Sequence, residues 1–284
     1  MSVSPRQIAS FLRWRLVPVR YAGRLRYLRP RHLKRVLPPV GITAKTVENQ
    51  GFTAGPTPSA DVLGELQAIF KARAPKAQPA GLKVPFVNLT TADDFTVDSP
   101  LMKLAFSPEY LDPALDYFGG QARLDSLQVL YSFTNDGPLK ESQKWHLDYG
   151  DSKSMHCVMY LNDVLSDAEG PFAFVDRAVT KTLGRSMIVR RIPDDQMEIE
   201  LKGAKVQKVY GPAGTSVWID PAACYHYGSR CETPRTAIFL TYNSETPFTA
   251  PVPLVRANAR KIADVGKKLR PDLPAETFDR LLGL

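Results

Sequence analysis

Cysteine and histidine are among the scarcest residues of this chain, three and four respectively among 284. The cysteines, Cys157, Cys224 and Cys231, are odd in number and confined to the second half. That excludes the disulfide framework of a small secreted domain and fits a reducing compartment. No apolar run approaches the roughly 20 residues needed to cross a bilayer, and no apolar block with a small-residue cleavage site stands near the N-terminus. A cytoplasmic location is therefore the expectation. Internal repeats and low-complexity tracts are lacking, which excludes a solenoid. Acidic residues are absent from residues 1–47, which hold eleven of the 37 Lys and Arg. The net charge of +8 is thus local, because the remainder carries 26 basic residues against 29 acidic ones.

What is present reads as one globular core: 44% apolar and 23% charged residues are ordinary for a folded protein, and 284 residues suit one large domain with appendages. Residues 1–58 are expected to form a basic arm and linker. From Ser4 to Arg35, arginines alternate with Phe11, Trp14, Leu16 and Tyr21. Such a mixture suits a solvated face around docked apolar residues, an anionic membrane surface or acidic substrate, or nucleic-acid phosphates, of which nucleic acid is the least favoured. A peripheral membrane association would follow from the second. Pro18, Pro30, Pro38 and Pro39 interrupt any long helix, and residues 39–58, rich in Pro, Gly and Thr, read as the linker.

Residues 59–255 carry the expected main domain and 256–284 a helical tail, read as two short helices broken by Pro271 and Pro274. Helical spacing of Val62, Leu63, Leu66, Ile69 and Phe70 predicts a helix over 60–72, and another is predicted over 108–118. Short β-type runs follow over 127–133, 154–161, 172–175, 187–191, 206–210, 215–219 and 235–242. Many short strands without alternating helices indicate a mainly β protein with flanking helices (α+β): a double-stranded β-helix, the cupin-like jelly roll.

Two of the four histidines stand in a chemically meaningful pattern: His146-Leu-Asp148, then His226 after 77 intervening residues. Residues i and i+2 of an extended segment project to one side, so His146 and Asp148 can meet one point. Two imidazoles and a carboxylate on one face of an octahedral ion leave positions open, the arrangement of iron(II) oxygenases. Arg235 opens a β-run and shares a face with Ala237, Phe239 and Thr241, so it can point inward, where its planar fork suits a carboxylate. A competing grouping, Cys224, His226 and Cys231, offers zinc-type donors but leaves His146 and Asp148 unexplained. His156 reads as a strand residue satisfied by a neighbouring carbonyl and His32 as part of the arm.

Taken together, Gln143-Lys-Trp-His146-Leu-Asp148, the runs Cys157–Val164 and Glu169–Val175, Gly211–His226 and Arg235–Tyr242 resemble the phytanoyl-CoA dioxygenase-like family over about residues 125–245. The resemblance implies an Fe(II) and 2-oxoglutarate-dependent dioxygenase. Its iron would be held by His146, Asp148 and His226, and its 2-oxoglutarate by Arg235 with Gln128 and Ser229 as further contacts. It implies hydroxylation of an unactivated C–H bond in a small-molecule, lipid-linked or sugar-linked substrate, with release of succinate and CO2. Asp148, where a small residue would leave room for halide, favours hydroxylation over halogenation. The interval from His226 to Arg235 is short for the family, which makes Arg230 the second candidate anchor. The loop Asp176–Lys181 replaces the family's usual Pro-Gly-Ser-His run. A different class remains open: a non-catalytic metal-binding jelly roll that holds an acidic partner through its arm.

Overall fold

The computed structural model describes residues 38–183, 191–247 and 249–284, together with Pro5 and Ile8. The basic arm apart from those two residues, His32, and residues 187–190 of the strand expected over 187–191 lie outside the described residues. A six-stranded antiparallel sheet forms the frame, in the order β1 (Phe52–Ala54), β7 (Ser216–Ile219), β4 (Ser154–Tyr160), β9 (Arg235–Asn243), β3 (Arg123–Ser132) and β2 (Phe86–Asn88). Facing it is a smaller sheet of β6 (Gln207–Lys208), β5 (Ala173–Phe174) and β8 (His226–Tyr227). Two antiparallel sheets with helices on the outside are the double-stranded β-helix that the strand pattern predicts.

Side-chain alternation divides the large sheet into two faces. Leu127, Val129, Met155, Cys157, Met159, Ile238 and Leu240 point outward into the main core. There they meet the helices α2 (Ala60–Ala72), α3 (Pro100–Phe106) and α4 (Pro108–Tyr117), and also the two tail helices Ala259–Leu269 and Ala275–Leu282. Val158, Tyr160, Val217, Ile219 and Ala237 point the other way and pack on Phe172 and Phe174 beside the small sheet. A third cluster of Trp145, Leu147, Val175, Ile192, Met197 and Tyr225 supports the small sheet from behind. Within the described residues, no helix is long and apolar enough to cross a membrane.

The stretch 39–58 is not the linker its composition suggests. Residues Ile42–Gln50 form a helix, α1, whose first turn is closed by Asp116: its carboxylate accepts from Val40 N at 3.0 Å and Gly41 N at 2.8 Å. Gly51 then turns the chain at φ +93°, and β1 adds to the sheet edge against β7. The helix is short and its periodicity weak, so tertiary burial of Ala44 and Val47 decides it rather than propensity. Likewise, Arg177–Leu183 is a helix, α5, where a loop was expected, and Asp194–Leu201 forms a further helix, α6.

Candidate metal and co-substrate site

His146 and His226 face each other across two reciprocal backbone hydrogen bonds: His146 N donates to His226 O at 3.0 Å, and His226 N donates to His146 O at 2.9 Å. This isolated bridge extends the small sheet by one residue and brings the ring centroids to 4.2 Å. On the opposite side, Ile192 N donates to Trp145 O at 2.8 Å, so the His146 segment is held from both flanks. Alternation then acts as expected. Trp145 and Leu147 enter the core behind the sheet, while His146 and Asp148 turn to the cavity.

The ligand atoms of His146, Asp148 and His226 lie within 4.8 Å of one another, the one such His/Cys/Asp/Glu group among the described residues. Asp148 Oδ1 is 3.5 Å from His146 Nε2 and 3.8 Å from His226 Nε2. Each imidazole is oriented through its other nitrogen. His146 Nδ1 lies 2.8 Å from Lys144 O and His226 Nδ1 lies 3.0 Å from Cys224 O, so Nδ1–H donates and Nε2 presents a lone pair to the centre. Burial pushes both histidines below the ordinary imidazole range, keeping them neutral as metal ligands must be. Burial alone would raise Asp148, but the surrounding His226, His156 and His146 hold it below the usual carboxylate range.

Behind His226, the turn after β7 is fixed by Asp220. This buried carboxylate accepts from Tyr117 Oη and Arg177, each at 2.9 Å, and from Ala222 N at 3.0 Å. Pro221 O in turn accepts from Asp148 N at 2.9 Å, which ties the two ligand-bearing segments together. Gln143, fully buried at the end of a single 3-10 turn, donates from Nε2 to Ser229 O at 2.7 Å and so joins the segment before His146 to the loop after His226.

Arg235 is 1% exposed and lines the same pocket of about 380 Å³ as the three ligands. Its guanidinium donates to Gly170 O and, at 3.3 Å, to Ser229 Oγ. Among the described residues no carboxylate pairs with it, and its buried Nε has no partner. Ser229 holds a left-handed φ of +59° and accepts a second hydrogen bond from Ser132 Oγ at 2.9 Å. Gln128 stands on β3 in the pocket wall, opposite Phe239 of β9. Arg230, the second candidate anchor, is committed elsewhere. It is bidentate to Asp194 at 2.7 and 2.9 Å, donates to Gln143 O, and stacks 3.4 Å from the Tyr227 ring centroid.

Two sequence expectations change here. The zinc grouping does not assemble: Cys224 is buried among Val217, Ile219 and Phe174, whereas the Cys231 thiol donates to Glu169 O at 3.6 Å. Among the described residues no carbonyl satisfies His156. It projects into the pocket with Nε2 3.6 Å from Asp148 Oδ2, a placement signalled by its sharing the Ser154 face of β4.

No family model and no curated protein matches the sequence. Solved structures do match the fold. The chain is similar to the non-heme alpha ketoglutarate dependent epimerase SnoN from nogalamycin biosynthesis, with a TM-score of 0.53 and 16% identity over 72% of this chain and 82% of SnoN. EctD from S. alaskensis, solved with 2-oxoglutarate and 5-hydroxyectoine, gives a TM-score of 0.52 and 20% identity over 76% of this chain and 83% of EctD. The non-heme alpha ketoglutarate dependent carbocyclase SnoK, also from nogalamycin biosynthesis, gives 0.51 and 15% over 78% and 90%. At these identities the likeness is one of fold.

Proposed function

We propose that this protein is an Fe(II) and 2-oxoglutarate-dependent dioxygenase that hydroxylates a small-molecule substrate, with motifs that resemble those of the phytanoyl-CoA dioxygenase-like enzymes. The observation that carries the reading is Arg235. A buried guanidinium with an unpartnered nitrogen, in the same pocket as a two-histidine, one-carboxylate group, calls for an anion that none of the described residues supplies. A dicarboxylic acid that reaches both the metal and Arg235 meets that need. With both bound, the metal and 2-oxoglutarate would supply the oxidising chemistry, in which dioxygen, 2-oxoglutarate and a substrate C–H bond give succinate, CO2 and the C–OH product.

The chain's own contribution is positional. His146, Asp148 and His226 would hold the metal together, each offering one ligand atom within 4.8 Å of the others. Carbonyls of Lys144 and Cys224 keep both rings turned so that Nε2 faces the metal. Arg235, steadied by Ser229, fixes the distal carboxylate of the co-substrate, and Gln128 lines its path. The reading is tested by titrating 2-oxoglutarate into the anaerobic Fe(II) protein and following the visible metal-to-ligand charge-transfer band. A saturable band is expected. Metal binding without a band would instead make this a metal-binding jelly roll. The basic arm supports an added reading as a contact for an anionic surface, each Lys or Arg near such a surface contributing about 1 kcal/mol. Deleting residues 1–36 should lower association with anionic liposomes and leave the band in place.

A further inference from the structure

The pocket has two chemically distinct ends. By strand register, Arg235 opposite Ser132 marks one end, Phe239 opposite Gln128 the middle, and Thr241 opposite Ser126 lies beyond. Further along stand Asn243 and, at a register shift between Leu124 and Ser126, Asp125. That shift is a β-bulge, which lets two successive residues reach one side of a strand. Leu124 remains in the helix-facing core, while Asp125 and Ser126 both line the pocket.

Asn243 stands beside the Asp125 carboxyl, and its Oδ1 accepts from Ser154 Oγ at 2.5 Å. The carboxyl oxygen Oδ1 of Asp125 is buried and has no partner among the described residues. Asp151 is close by, yet its two oxygens are taken by Ser152 N at 2.6 Å and Ser244 N at 2.9 Å. Among the described lining residues, Arg235 is the sole Lys or Arg, and it sits at the opposite end. Once Asp148 is committed to a metal, Asp125 is left as an uncompensated acid in the part of the pocket that the co-substrate does not need.

We propose that this end is the substrate-recognition site and that Asp125, with Asn243 beside it, binds a protonated amine of a compact substrate. The term substrate rests on the oxygenase reading; the amine site rests on the pocket. A hydroxyl would donate one hydrogen bond and leave the charge uncompensated, whereas an ammonium supplies both donor and charge. A volume of about 380 Å³, shared with the co-substrate, limits the partner to a small molecule.

The test uses the full chain loaded anaerobically with Fe(II) and 2-oxoglutarate. Glucosamine is compared with glucose, and cyclohexylamine with cyclohexanol, by calorimetry. At least one amine should bind about tenfold or more tighter than its neutral counterpart, and Asp125→Asn should reduce that preference to within about twofold. No preference in the wild type, or one that survives Asp125→Asn, overturns the proposal. If the variant does not fold, Asp125→Ser replaces it and the wild-type comparison still decides. The two readings fail separately. A charge-transfer band without amine preference removes this inference and keeps the oxygenase, while an Asp125-dependent preference without a band keeps the amine site and removes the oxygenase.

Discussion

His156 approaches Asp148 from the side opposite the two ligand histidines: its Nε2 lies 3.6 Å from Oδ2, while His146 and His226 lie 3.5 and 3.8 Å from Oδ1. Burial pushes His156 down to about 4, so at neutral pH it acts as a dipole beside the carboxylate and not as a cation. At that distance the contact is looser than a hydrogen bond, and with a metal bound it would bias which oxygen Asp148 presents to it.

His156→Phe keeps a flat aromatic ring at this position and removes both ring nitrogens. Metal affinity is expected to fall about tenfold, the lower end of what such supporting partners contribute, with circular dichroism unchanged. Calorimetric titration of Fe(II) under anaerobic conditions measures it. Undiminished affinity would mean that His156 merely fills space.

Arg235→Leu removes the cation and leaves an apolar side chain on β9. 2-Oxoglutarate affinity should drop at least about tenfold, since charge-assisted hydrogen bonds contribute roughly 1.5–3 kcal/mol. Arg235→Lys should recover part of it, because charge remains while the fork is lost. Arg230→Leu, which breaks the pair with Asp194, should change that affinity less than threefold, roughly the scale of a surface ion pair. The charge-transfer titration compares all three.

Asp125 gives the metal-free chain a pH dependence. Burial first, then the charge of Asp148, pushes its carboxyl up to about 7, against about 3.9 in an unfolded chain. Between about pH 4 and pH 7 the folded form therefore holds a proton that the unfolded form has lost, and stability declines as pH rises through that window. Asp125→Asn cannot ionise. Its melting temperature relative to wild type should rise from pH 4.5 to pH 8, by several degrees in all, on the order of 2–4 kcal/mol. A pH-independent difference in melting temperature would contradict this.

Gly51 connects the N-terminal helix to the metal centre. It holds φ +93°, and a Cβ there would run into the Cys224 sulfur, whose residue also supplies the carbonyl that orients His226. Gly51→Ala should cost roughly 1–3 kcal/mol of stability and weaken metal binding as well. Chemical denaturation and the metal titration together check it. A stability loss with unaltered metal affinity would show that strain at Gly51 does not reach His226.

The residues that sequence spacing brings out are those whose geometry is local. His146 and Asp148 share a face because they are two apart, and Arg235 points inward with Thr241 because β9 has no bulge. Asp125 is hidden from that logic. Counting alternation back from Leu127 sends Asp125 to the helix side and Leu124 to the pocket, and the bulge reverses both. His156 was visible in principle, since Met155, Cys157 and Met159 all enter the helix-facing core and leave His156 on the other face. Its partner was not, because Asp148 reaches it from a separate segment. The α1–β1 unit is set by long-range contacts with Asp116, Cys224 and Asp220 that composition cannot report.

Cavity chemistry and metal chemistry are thus written in different parts of the chain. The ligand histidines and Asp148 depend on the small sheet and the Asp220 turn, while Asp125 depends on one extra residue in β3. Removing that residue would restore regular pairing with β9 and withdraw the acid from the pocket, with the three ligands left in place. Under the amine reading, a one-residue change in the length of β3 would therefore alter what this pocket binds, with no substitution among His146, Asp148 and His226.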